Sequence, residues 1–157
     1  MENALLENMR HLTYGIYVLT TRFEDAINGM IASWVSQVSF DPPLFMAAVH
    51  PNRYSHRLML KSSVFALHLV DQSQKDLLIR FKGPDPRKKF EGLNWTDGKN
   101  GCPILADCMG VVECRIIQNL SPGNHTLFIG QATHAEFRNP RPVLSTLDYE
   151  GCYLGKA

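Results

Sequence analysis

GVVECRIIQNLSPGNHTLFIGQATHAEF, residues 110–137, is the stretch that decides the fold. Gly110–Leu120 and Thr126–Phe137 are two long runs rich in strand-forming residues, and Ser121-Pro122-Gly123-Asn124 between them is turn chemistry. Together they predict a long antiparallel hairpin. Outward from it, Ile16–Phe23 reads as a strand ending at a Glu24-Asp25 turn. Ile27–Trp34 reads as a weaker strand interrupted by Gly29, where backbone can approach another group closely. Asp41-Pro42-Pro43 is a breaker, and Leu44–Val49 after it is apolar enough for a buried strand, as is Val64–Val70. Leu5, Leu6, Met9 and Leu12 recur at helical spacing over residues 2–12, and further helices are expected at about 53–61 and 73–82. Residues 83–103, GPDPRKKFEGLNWTDGKNGCP, form an excursion too long for a simple connection, of the kind that carries function. The tail, with Val143-Leu144 and Tyr153-Leu154, is expected to pack at an edge. The class is mainly β: an antiparallel barrel with short flanking helices, one domain over residues 1–157.

Composition narrows the function. The chain has 157 residues, and 45% of them are apolar, which excludes disorder as the main state. A net charge of +1 argues against nucleic acid as partner. No run of about 18 apolar residues occurs, so no membrane span is expected. The N-terminus, MENALLENMRHL, lacks the layout of a leader, and we expect a cytoplasmic protein whose cysteines (102, 108, 114 and 152) are free thiols. The N-x-[ST] triplets at Asn94, Asn119 and Asn124 are then chance matches. Charge is nonetheless uneven. Residues 61–90 hold seven basic and three acidic side chains, a local +4 that fits capture of a small anion.

Familiar catalytic signatures are missing: no G-x-G-x-x-G, no P-loop, no G-x-S-x-G, no H-E-x-x-H. His68, inside an apolar strand, reads as a satisfied core histidine and not as a metal ligand; no metal is expected. Three polar clusters remain. Asn28–Ser39 (NGMIASWVSQVS) is small enough for a flat ligand to lie against backbone. Asn52-Arg53-Tyr54-Ser55-His56 opens a helix, where N–H groups, a hydroxyl and cations converge on an anion. Gly123-Asn124-His125-Thr126 sits at the hairpin tip and offers one histidine.

The wording and order of these clusters resemble a known family. NGMIASWVSQVSFDPPLF (28–45), SHRLMLKSSVFALHLV (55–70), KFEGL (89–93) and GNHTLFIG (123–130) are similar to the flavin reductase-like, FMN-binding split-barrel family, which includes flavin reductases, flavoredoxins and ferric reductases. The resemblance runs from about residue 8 to 155. It implies an antiparallel Greek-key split barrel, a homodimer, FMN (less often FAD) in a groove at the dimer interface, and NAD(P)H as electron donor. On the matching positions Asn28, Met30, Ala32, Ser33 and Trp34 would line the flavin, with Ser36, Gln37, Val38 and Ser39 continuing that wall. Ser55, with Arg53 and His56, would hold the phosphate; Lys89 would reach the phosphate or the flavin edge from the long loop. His125 would act beside the flavin where nicotinamide or a redox protein partner approaches, and Tyr153 would cover it. Where the family's histidine motif often reads G-D-H, this chain has Asn124. The implied activity is hydride transfer from NAD(P)H and delivery of electrons to free flavin, ferric complexes or a redox protein. The alternatives are a non-catalytic FMN electron carrier and a split-barrel relative with another task.

Overall fold

The computed structural model describes residues 1–149 and 153–155. Seven strands form one antiparallel sheet: β1 (Tyr17–Phe23), β2 (Ala26–Ala32), β3 (Val35–Ser39), β4 (Leu44–Val49), β5 (Val64–Leu69), β8 (Gly110–Leu120) and β9 (Thr126–Phe137). Their spatial order is β2-β1-β5-β8-β9-β4-β3. β8 and β9 are the hairpin expected from the sequence, and β5 and β4 flank it on either side. The chain passes from β2 to β3 across Ser33-Trp34, and the Ala48 amide donates to the Trp34 carbonyl at 2.9 Å. That bond draws the two ends of the sheet together into a half-closed barrel.

Three helices decorate it: α1 (Glu2–His11), α2 (Tyr54–Ser62) and α3 (Asp76–Lys82). The helix expected at 73–82 is divided. Asp71 caps a short 3₁₀ turn at Gln72–Gln74 through a capping box, with its carboxylate accepting from the Ser73 amide at 2.8 Å, and α3 starts only afterwards. The expected strand at 27–34 likewise gives way at Ser33, and β3 follows as a strand of its own. The long excursion contains a small ribbon, β6 (Trp95–Asp97) with β7 (Pro103–Leu105). The tail meets the sheet through bridges Gly15–Ser145 and Asp71–Val143, and Leu144 is buried. α1 forms at the expected place but buries none of its residues.

β1 explains how one sheet supports two cores. Val18, Leu19, Thr20 and Thr21 are all buried, so both faces of this strand are covered. Leu19 joins Val49, Met59, Phe65, Leu67 and Phe128 inside the barrel. Ile16 and Val18 join Leu78, Phe81, Phe90 and Leu105 on the other face, under α3 and the long loop. The threonines are affordable there because each hydroxyl finds a carbonyl, Thr20 on Pro103 (2.7 Å) and Thr21 on Val64 (2.8 Å). His68 is fully buried and bridges elements, with Nδ1 on the Val18 carbonyl (3.1 Å) and Nε2 accepting from the Leu105 amide (3.1 Å). Burial drops its pKa to about 4, so the ring is neutral. Cys102, Cys108 and Cys114 are unpaired and buried, and Cys152 lies outside the described residues. Burial pushes the Cys102 and Cys114 thiols up to about 12. Among the described residues no helix is long and apolar enough to cross a membrane.

Candidate functional site

β2 is an edge strand, hydrogen-bonded to β1 on one side only. Its free side and the turn after it form the wall of a cavity of about 780 Å³, with Met30, Ile31, Ala32, Ser33 and Trp34 in succession along it. Consecutive residues of one strand line the wall because it is the strand's edge, with its backbone polar groups, that faces the opening. The opposite side is built by α2, the end of α3 and the tail.

The charge lining this cavity has one sign. Arg53 and Arg57 come from the start of α2, Lys82 from the end of α3 and Lys89 from the long loop, and among the described residues no Asp or Glu lines the cavity. Lys89 is 7% exposed; its Nζ donates to Asn28 Oδ1 (3.1 Å) and the Gly29 carbonyl (2.9 Å), and neither acceptor is charged. Burial first, and Arg53 beside it second, hold the Lys89 pKa below its ordinary value. Two cations pressed together in a partly buried site are stabilised by an anion between them. Asn28 organises this corner, because its Nδ2 donates to Ser55 Oγ at 2.8 Å while its Oδ1 accepts from Lys89. Lys82 lies over the Tyr149 ring, 4.2 Å from its centroid.

A third part of the site is aromatic. Trp34 stands 4.7 Å from the His125 ring and 5.2 Å from Tyr153, centroid to centroid, and His50 meets His125 edge-on at 5.1 Å. His125 is bonded at both nitrogens, Nδ1 to Asn124 Oδ1 and Nε2 to the Tyr153 hydroxyl, each at 2.8 Å. Burial, then His50 and Arg53, hold its pKa below the usual value. The buried indole N–H of Trp34 has no acceptor among the described residues.

Of the residues singled out in the sequence, Asn28, Met30, Ala32, Ser33, Trp34, Arg53, Lys89 and Tyr153 line the cavity together. Others lie elsewhere. Ser55 is fully buried beneath Asn28. His56 is turned inward, its Nε2 at 2.8 Å from Thr126 Oγ1. Ser36, Gln37 and Val38 are exposed and Ser39 half-buried on β3, which occupies the sheet edge opposite β2. His125 is 5% exposed and sits behind Trp34 and Tyr153, so a turn residue expected to meet ligand is covered by the tail. The cavity also takes in His50, Arg57 and Tyr149, which sequence reasoning did not assign to the site, and Tyr54 and Lys82, which it placed only in a polar cluster and a basic stretch. Arg57 was within reach of it, since a spacing of four from Arg53 puts both on one side of the helix start.

The half-closed antiparallel barrel and the cation-lined cavity at its edge strand define a split β-barrel. The chain belongs to the flavin reductase-like domain family, whose model matches residues 9–153. It is 26% identical over 155 residues to a ferric-chelate reductase (NAD(P)H) of Archaeoglobus fulgidus, covering 96% of this chain and 92% of that one. It is 28% identical over 137 residues to diflavin flavoprotein A 1 of Synechocystis, covering 85% of this chain and 24% of that longer protein. The chain thus spans about a quarter of that relative's length. Among solved structures, an NADH:FAD oxidoreductase of Streptomyces globisporus superimposes with a TM-score of 0.84 at 24% identity, covering 92% of this chain and 87% of that one. The residues present suit a flavin: an open strand edge for a flat ring and, for a phosphate, Lys89 bonded only to neutral oxygens with Arg53 nearby.

Proposed function

We propose that the domain is an FMN-binding oxidoreductase that accepts hydride from NAD(P)H and passes electrons to free flavin, a ferric complex or a redox protein. The observation that carries this is the cavity itself: a strand edge on one wall and four cations, with no carboxylate among the described residues, on the other. Bound flavin would supply the hydride-accepting chemistry, and the protein's part is position and potential. Met30–Trp34 would hold the ring against the edge of β2. Lys89 and Arg53 would bind the phosphate, which favours FMN over a ligand without a terminal phosphate. Asn28 keeps Lys89 in place from behind, and Ser55 keeps Asn28. His125 would contribute beside the ring as the neutral imidazole, held through Tyr153.

A non-catalytic electron carrier is the second reading, supported by the covering of His125 by Tyr153. An anaerobic absorbance titration of the FMN-loaded protein with NADH and NADPH separates the two. Bleaching by either nucleotide supports the reductase; a yellow protein inert to both leaves the carrier, and a protein that ignores FMN removes both. A second copy of the chain completes the assembly in this proposal, supported by the exposed apolar side chains Val38 (50%) and Phe40 (87%) at the β3 edge. The unpaired thiols fit a cytoplasmic setting.

A further inference from the structure

The proton positions around His125 follow from one backbone carbonyl. The Gly155 carbonyl can only accept, and it receives Asn124 Nδ2 at 3.1 Å. That fixes the amide, so Asn124 Oδ1 is the atom facing His125 Nδ1 at 2.8 Å. A carbonyl oxygen offers no proton, hence Nδ1 carries the hydrogen. In a neutral ring Nε2 is then bare, and the Tyr153 hydroxyl at 2.8 Å donates to it. Neutrality is consistent with the surroundings: His50 from the end of β4, Arg53 from the start of α2 and Tyr153 from the tail face the ring, and no carboxylate does among the described residues. The tail fits closely where this chain of bonds ends. Gly155 adopts φ +77°, and a Cβ there would stand 2.7 Å from Trp34 Cη2.

We propose that Asn124 is a positioning residue, whose amide fixes His125 as the Nδ1–H tautomer and ties residues 153–155 down across the Trp34 wall of the cavity. The two tasks need both ends of a primary amide. A carboxylate at this position accepts twice: it keeps the bond to His125, repels the Gly155 carbonyl and stabilises the imidazolium. An Asn at this position therefore couples the state of the hairpin tip to the closure of the tail. The tail then controls passage of the cavity's occupant. That last step rests on the reading that FMN is the occupant, whereas the tautomer and the tie do not.

The test uses the whole chain and the variant Asn124→Asp. Ring-nitrogen NMR of the flavin-free wild type is expected to show the Nδ1–H tautomer at His125, with a titration midpoint below 6.5. In Asn124→Asp the midpoint is expected to rise by about one unit or more, and bound FMN to leave about tenfold faster, equal to about 1.4 kcal/mol off the barrier to release. An Nε2–H tautomer in the wild type overturns the proposal without need of any variant. An unchanged midpoint in a folded Asn124→Asp also overturns it, and a raised midpoint with unchanged FMN release overturns the tie to the tail. If FMN does not bind at all, the flavin reading fails while the tautomer measurement still decides the role of Asn124.

Discussion

At the scale of single residues, Lys89 carries the plainest expectation. Its ammonium touches two neutral oxygens and lies near Arg53, and in the proposed function a phosphate would supply the counter-charge. Lys89→Ala and Arg53→Ala should each cost about 1.5–3 kcal/mol of FMN binding, or roughly 10- to 100-fold, and much less for riboflavin. Paired calorimetric titrations with the two ligands check it; equal losses would remove the phosphate assignment. His68 predicts a pH effect on stability. Its folded pKa of about 4 lies below the unfolded value near 6.5, so between these the unfolded chain binds more protons. Stability is full above pH 6.5 and falls by about 3 kcal/mol as pH drops to 4. Urea unfolding at pH 7 and pH 4.5 measures this, and a folded variant in which an apolar residue replaces His68 should lose that share of the slope.

At the scale of elements, Gly130 on β9 shows how closely the hairpin packs on its neighbour. A Cβ there would come within 2.5 Å of Phe65 Cε1 and 2.7 Å of Cys114 Cβ. Both belong to the barrel core, where rigid neighbours cannot give way. Gly130→Ala should therefore destabilise by about 1–3 kcal/mol, read as a lower urea midpoint at unchanged slope. This hairpin was legible in the sequence because strand-forming runs flank an unambiguous turn, and β4, β5 and α2 were legible for similar local reasons. The division at Ser33-Trp34 was not, since apolar residues run through it and only the Ala48–Trp34 bond, a tertiary contact, marks the corner. The ribbon β6–β7 escaped because its six residues are held by long-range partners such as Thr20 and His68. The site divides the same way. Residues on the β2 edge were readable from pattern, while the inward turn of Ser55 and the covering of His125 depend on Asn28 and on the distant tail.

At the scale of the whole molecule, Val38 on β3 and Phe40 just after it are exposed at one of the sheet's two edges. We expect a homodimer of about 35 kDa, twice the 17.7 kDa chain, and Phe40→Asp should shift sedimentation toward the monomer. A wild type that sediments as a monomer at micromolar concentration would defeat that expectation. FMN at 100 times its dissociation constant should add about 2.7 kcal/mol to unfolding stability, seen as a higher Tm.

The one-signed lining of the cavity also bears on how fast a ligand arrives. The molecule is almost neutral, +1 over 157 residues, yet Arg53, Arg57, Lys82 and Lys89 are gathered at one opening. Such a cluster raises the positive potential at that opening, and in the proposed function it would draw an approaching nucleotide in by its phosphate. Raising ionic strength shortens the reach of that field to about 3 Å at 1 M. The association rate of FMN should then fall several-fold while that of riboflavin stays level, so that capture speed, apart from holding strength, is written in the placement of four side chains.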